Sequence, residues 1–146
     1  MNPFVETLKR NGYLRSEVLI DAFSSVSRAE FLPKEFEGEA SADIPLPIGY
    51  GQMGPRPSLV AVMLELLEPR QGQRILTIGS GSGWVTGLLA YVVGIEGKVI
   101  AFERLSEMHI WGQENLEKFD FIKSGQVECI LGEGKEGYPI GLPFDR

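Results

Sequence analysis

An α/β fold with a short parallel sheet is predicted by three observations. The apolar run Arg74–Ile78 leads directly into Gly79-Ser80-Gly81-Ser82-Gly83, and an apolar run of helical length, Trp84–Val93, follows at once. From there strand-like and helix-like segments alternate as β-α-β-α-β, the order that parallel strands joined by crossover helices produce. The 146 residues amount to one domain on the usual relation of length to domain count. The predicted architecture is therefore a Rossmann-like sheet of about three parallel strands behind a small helical N-terminal segment. The natural division places 1–57 as N-terminal helices and a covering loop, and 58–146 as the sheet-bearing core, the two together forming one domain.

Each element has its own signal. Phe4 to Arg10 reads as a short helix closed by Asn11-Gly12, since glycine accepts the left-handed conformation at a helix end. Ser16 is placed to cap a second helix whose apolar face is Val18, Leu19, Ala22, Phe23 and Val26, stopped by Phe31-Leu32-Pro33. Residues 34–57 hold Pro45, Pro47, Pro55 and Pro57 with Gly49, Gly51 and Gly54, a pattern that predicts a long irregular loop. A loop of that length in a compact domain is usually functional or disordered, and Ile44, Leu46, Ile48 and Tyr50 give this one something to bury. Ser58 reads as the cap of a third helix lined by Val60, Met63, Leu64 and Leu67 and ended by Pro69. Lys98 to Phe102 reads as the second strand of the sheet and Gln126 to Leu131 as the third. Between them, Ser106 to Phe119 reads as a helix with Met108, Trp111, Leu116 and Phe119 inward.

Composition removes several classes of function. The net charge is −6 and there is no basic block, so affinity drawn from phosphate neutralisation is not expected, and the balance argues against nucleic acid as a partner without excluding a small local site. No apolar run approaches the ~20 residues of a membrane span. The N-terminus Met1-Asn2-Pro3-Phe4-Val5-Glu6 lacks the charged-then-apolar order of a signal peptide. Cys129 is the sole cysteine, which rules out an internal disulfide and fits a reducing, cytoplasmic setting; its simplest role is a small core residue. No metal set is expected. His109, the sole histidine, falls mid-helix, where a structural or solvent-facing role is the simplest.

The glycine-rich turn carries the chemistry. Glycines allow a tight turn and close approach of a ligand to the backbone, and the helix that follows offers unpaired N–H groups. A dinucleotide fingerprint places its third glycine at a position held here by Trp84, and a P-loop lysine is absent. Gly-x-Gly-x-Gly instead suits S-adenosylmethionine, whose amino-acid tail has no pyrophosphate. Glu103 closes the second strand about 20 residues further on, where an acid accepts hydrogen bonds from both ribose hydroxyls. Glu133, in Gly132-Glu133-Gly134, follows the third strand on the adenine side.

With those residues placed, the chain resembles the protein-L-isoaspartate O-methyltransferases, a family of class I S-adenosylmethionine-dependent enzymes. The resemblance runs from about Leu8 to the last residue. Val26-Ser27-Arg28-Ala29-Glu30-Phe31-Leu32-Pro33 is similar to the family's Val-Pro-Arg-x-x-Phe-Val-Pro, and Leu46-Pro47-Ile48-Gly49-Tyr50-Gly51-Gln52 to its Leu-Pro-Ile-Gly-x-Gly-Gln. Gly97-Lys98-Val99-Ile100, Glu114-Asn115-Leu116 and Pro143-Phe144-Asp145 match further blocks. The resemblance implies methyl transfer from S-adenosylmethionine to the α-carboxylate of an isoaspartyl residue in a damaged protein or peptide, whose ester then collapses to a succinimide. It implies a cofactor tail along Gly79, Ser80, Gly81 and Gly83, a ribose held by Glu103 with Arg104 alongside, and an adenine bordered by Glu133 and Gly134. The resemblance also implies that Gln52 opens a loop closing over cofactor and substrate.

Three departures from the family pattern bear on activity. After Gln52 the family has Thr-Ile-Ser-x-Pro, with the serine as active-site residue; here Met53 holds the threonine position and Pro55 the serine position. Arg56 is a candidate bidentate partner for a substrate carboxylate, against the simpler reading of a surface arginine. Thr77 stands where the family usually has an acid, which implies weaker cofactor affinity. The chain stops at Phe144-Asp145-Arg146, where the family's fourth strand begins beside the first, so the expected core is C-terminally truncated with an open edge along Arg74–Ile78. A homodimer or a complementing chain is expected at that edge, unless the sequence is a fragment of a longer one. The rival to a repair enzyme is a non-catalytic S-adenosylmethionine-binding or interaction module, or one half of a split methyltransferase. A nicotinamide-dependent oxidoreductase is a distant third, which Trp84 counts against.

Overall fold

A computed structural model describes residues 2–141 and 143–146. Among the described residues, five helices of α type run α1 (Pro3–Arg10), α2 (Glu17–Ser25), α3 (Pro57–Leu67), α4 (Trp84–Val93) and α5 (Ser106–Glu117). The strands are β1 (Leu46–Gly49), β2 (Gln52–Gly54), β3 (Arg74–Ile78), β4 (Lys98–Glu103) and β5 (Val127–Leu131). β3, β4 and β5 form a parallel sheet in that order, with Ile75 opposite Val99 and Val99 opposite Val127. This is the predicted Rossmann-like α/β core. Its hydrophobic centre joins the N-terminal helices to the sheet, since Val5, Phe23, Val60, Leu88, Val99 and Val127 belong to one buried cluster. A smaller cluster of Leu32, Leu46, Ile48 and Met108 lies under the segment before α3.

That segment departs from the expected irregular loop. Lys34–Glu39 forms a short 3-10 helix, and β1 and β2 pair antiparallel as a hairpin. The hairpin turns on Tyr50-Gly51, both at positive φ (55° and 72°), which is the backbone requirement of the mirror-image turns that match strand twist. Tyrosine is an unusual residue at such a position, and the prolines around it mask the strand pattern. Pro47 is tolerated because this two-stranded ribbon has free edges.

Other expectations also shift. α2 ends at Ser25, and Arg28–Phe31 forms a separate 3-10 turn; Val18 faces solvent while Ile20 is buried in its place. Ser58 lies inside α3, whose N-cap position is Arg56; the acceptor for the Ser58 N–H is Asp43 Oδ1 at 2.8 Å, from a loop 15 residues away. Met63 is turned outward, and Ala61 is buried with Val60 and Leu64. The edge of β3 is not wholly open. The Leu76 N–H donates to the Arg146 carbonyl (3.1 Å) and the Asp145 N–H to the Arg74 carbonyl (2.8 Å), so residues 145–146 already lie along the first half of the strand.

Left-handed backbone disfavours a β-carbon-bearing residue, and asparagine tolerates it best after glycine. Tyr50→Asn is expected to raise stability by up to about 1 kcal/mol, measured by denaturant unfolding; a lower midpoint would mean that the exposed tyrosine ring makes contacts that outweigh its backbone strain.

Candidate functional site

The site is built on the turn between β3 and α4. Gly79, Gly81 and Gly83 all have positive φ, which explains three glycines in five residues. The N–H groups of Gly79 and Ser80 both donate to the Phe102 carbonyl at the end of β4 (2.9 Å each), and that of Gly81 donates to Glu103 Oε2 (2.9 Å). Three consecutive donors are thus turned inward against the neighbouring strand. From the other side α5 holds the turn. Asn115, fully buried, donates to the Ser82 carbonyl (3.0 Å). Gly112 lets the helix approach, since a β-carbon there would sit 2.9 Å from the Gly81 oxygen. Gly83 is buried against Gly112 and Leu116 rather than exposed to a ligand.

Two clefts meet over this turn. The first, of about 260 Å³, is walled by Phe31, Leu32, Ile48, Met53, Pro55, Met63, Ile78 and Val85, with Thr77, Ser80 and Ser82 on its polar side. The second, of about 390 Å³, is walled by Gln52, Glu103, Arg104, Glu133, Gly134 and Lys135. Ile48, Met53, Ile78, Gly79 and Gly81 border both. The hairpin roofs the turn directly, with Ile48 Cδ1 3.1 Å from where a β-carbon on Gly81 would lie.

Glu103 is buried, and three backbone N–H groups converge on it: Gly81 on Oε2, and Arg104 (3.1 Å) and Leu105 (3.2 Å) on Oε1. A carboxylate offers about four lone-pair positions, so Oε2, with a single donor, keeps a free position, and Glu103 lines the second cleft. Arg104 is exposed in the same wall, and Glu133 pairs with Lys135 at 3.7 Å across its mouth. A β-carbon on Gly134 would crowd the Ile78 side chain, whose nearest atom would lie 2.7 Å away. Gln52 and Met53 are exposed on β2, Met53 reaching both clefts. Arg56 lies outside both walls, exposed at the start of α3.

The sequence reading missed several residues that set this geometry. Arg28 is buried at 4% exposure beside the first cleft, donating to the carbonyls of Ala42, Ile44 and Pro55, with its guanidinium 5.6 Å above the Trp84 ring. Burial lowers its pKa, and the charge of Asp43 partly restores it. A charged residue amid Val26, Phe31 and Leu32 was the available signal. Trp84 points into the core, edge-on to Phe23, with its indole N–H on the Val26 carbonyl (3.1 Å). His109 Nδ1 is buried with no hydrogen-bond partner among the described residues. Those residues contain no cluster of three or more metal-ligating side chains, and no helix long and apolar enough to cross a membrane.

A model of the protein-L-isoaspartate(D-aspartate) O-methyltransferase family matches residues 1–146. The protein-L-isoaspartate O-methyltransferase of Methanopyrus kandleri is 41% identical over 97% of this chain, which covers 62% of that relative. Its counterpart in Aeropyrum pernix is 42% identical over 97% of the chain, covering 54% of its length. A solved protein-L-isoaspartate O-methyltransferase structure superposes with a TM-score of 0.81 at 27% identity, over 98% of this chain and 45% of that one. The chain therefore spans about half to two-thirds of the length of the relatives it matches.

Asn115→Ala leaves the buried Ser82 carbonyl without its donor and is expected to destabilise the fold by about 1–3 kcal/mol, whereas Glu114→Ala on the exposed side of α5 should fall within about 0.5 kcal/mol of wild type. Chemical denaturation of the two variants separates them. Burial, reinforced by Glu128, pushes the Cys129 thiol up to about 11, so at pH 8 it is almost entirely protonated. Its alkylation at pH 8 should run at least roughly tenfold slower than that of a free cysteine and accelerate as the pH approaches 11; a rate equal to free cysteine would contradict its burial.

Proposed function

The chain belongs to the protein-L-isoaspartate(D-aspartate) O-methyltransferase family, and on that premise we propose that it binds S-adenosylmethionine across the two clefts and serves methyl transfer to the α-carboxylate of L-isoaspartyl residues in damaged proteins. The observation that carries the cofactor assignment is the direction of the turn's donors. Gly79, Ser80 and Gly81 have their N–H groups bound to Phe102 and Glu103, so they are not available to cradle a pyrophosphate. A cofactor tail bearing an ammonium needs acceptors instead, and the turn's glycines leave their backbone open to it: nothing lies within 4 Å of a β-carbon position on Gly79. The vacant position on Glu103 Oε2 suits one ribose hydroxyl, and the wall of Ile78, Glu133 and Gly134 suits the flat face of an adenine.

S-adenosylmethionine supplies an electrophilic methyl group on a sulfonium, with a neutral thioether as leaving group. An α-carboxylate is already ionised near neutral pH, so no general base is called for. The chain's own task is orientation and exclusion of water. The apolar wall of Phe31, Leu32, Ile48, Met63 and Val85 serves the second part of that task. The site residues assigned to the cofactor are Gly79, Ser80, Gly81, Glu103, Arg104, Glu133 and Gly134; Gly83 supports the turn from below.

A second reading is favoured by the wall opposite the turn. Met53 and Pro55 line the first cleft at the family's threonine and serine positions, and neither carries a hydroxyl. On this reading the chain is a non-catalytic cofactor-binding or interaction module, or one half of a split methyltransferase. The outer face of α3 is consistent with a partner: Leu59, Val62, Met63 and Leu66 are all exposed along it, Leu66 at 76%. A further β-strand, from a second copy or a complementing chain, would cover that face and the rest of the β3 edge.

Calorimetric titration with S-adenosylhomocysteine should give saturable one-to-one binding that Glu103→Ala weakens at least about tenfold. Transfer of labelled methyl to an isoaspartyl peptide, with an aspartyl peptide as control, then separates the two readings. Selective transfer supports the repair enzyme, binding without transfer supports the module, and no binding contradicts both. Light scattering tests the partner: a monodisperse monomer with a cooperative melt would argue against association through β3 and α3.

A further inference from the structure

We infer that Arg28 is the positioning residue of this site, its guanidinium clamping the covering segment 40–55 over the glycine-rich turn and thereby setting how long a bound cofactor is retained. The inference rests on the S-adenosylmethionine reading above. The fork reaches both ends of the segment. Nη1 donates to the carbonyls of Ala42 (3.0 Å) and Ala40 (3.4 Å), and Nη2 to those of Ile44 (2.9 Å) and Pro55 (3.2 Å). Between Ile44 and Pro55 lies the β1–β2 hairpin, which carries Ile48 and Met53 over Gly79 and Gly81. One planar group thus closes the two ends of the hairpin on each other and seats them on the Trp84 ring at the start of α4.

Stability alone is a poor reason for this arrangement. Among the described residues no carboxylate approaches Arg28 within ion-pair distance, and a buried cation without one is expensive. Asp43 is the acid whose charge it feels, and Asp43 Oδ1 accepts the Ser58 N–H, tying the same segment to α3. An apolar side chain of similar volume would remove the buried charge and leave the carbonyls of Ala42, Ile44 and Pro55 without this donor. What an apolar side chain cannot do is hold four carbonyls in one plane, and lysine, a point donor on a flexible stem, cannot match the fork either.

The test uses the full chain with Arg28→Lys and Arg28→Met, the second keeping the volume while removing the buried charge. Hydrogen exchange is followed over residues 40–56 and over β4, and the dissociation rate of S-adenosylhomocysteine is followed by tryptophan fluorescence. Both variants should show exchange over 40–56 raised at least about tenfold with β4 unchanged, and ligand dissociation faster by at least about tenfold. Unchanged exchange over 40–56, exchange that rises equally in β4, or an unchanged dissociation rate would each overturn the inference. If the wild-type chain does not bind S-adenosylhomocysteine, the cofactor reading fails and the retention role with it, while the exchange data still decide whether Arg28 clamps the segment.

Discussion

The anchoring of the Gly79–Gly83 turn to the end of β4 is the interaction on which the site depends. The Phe102 carbonyl and Glu103 carboxylate together hold three successive N–H groups, and Asn115 holds the carbonyl of the residue after them. The turn is therefore fixed by its neighbours before any ligand arrives. That follows from parallel topology: β3 and β4 end side by side, in register at Ile78 and Phe102, so the residues after β3 meet the last residues of β4. A buried acid at that corner is kept satisfied by backbone donors, and the turn is kept from collapsing onto the ligand space.

Two buried charges stand on opposite sides of the turn and divide the work. Glu103 organises the floor by accepting three backbone N–H groups and lines the second cleft. Arg28 organises the roof through the carbonyls of the covering segment. Each is satisfied by backbone groups from segments distant in sequence, which converts an irregular, proline-rich stretch into a defined wall. Arg28 bonds to the Pro55 carbonyl, which every residue has, so this contact does not depend on the side chain at position 55.

The core was legible because its signals are local. The boundaries of β3 and α4 follow from apolar periodicity and from the glycines between them, and the acid closing β4 from its distance along the chain. The hairpin was not legible, since Pro45, Pro47 and Pro55 speak against strands and Tyr50 does not announce a left-handed turn. Arg28 and Asp43 were missed for a different reason. Their partners lie 12 to 27 residues away, and nothing in a local pattern marks an arginine that will bond to carbonyls or an aspartate that will cap a remote helix. Gly83 and Gly112 show the same limit from the other side: the sequence does not mark Gly83 as a glycine that packs against Gly112 and Leu116 of α5. Met63 and Val18 look like core residues by helical spacing, yet both face outward, Met63 toward the first cleft.

On the proposed reading, the turn with inward-facing donors, roofed by the hairpin, receives the amino-acid tail of S-adenosylmethionine while Glu103 receives its ribose. Residue-resolved amide NMR during titration with S-adenosylhomocysteine tests this placement. The largest shifts are expected at residues 79–81, 103–104 and 132–135, with smaller ones along the hairpin. Shifts confined to the outer face of α3, with the glycine-rich turn unmoved, would rule that placement out.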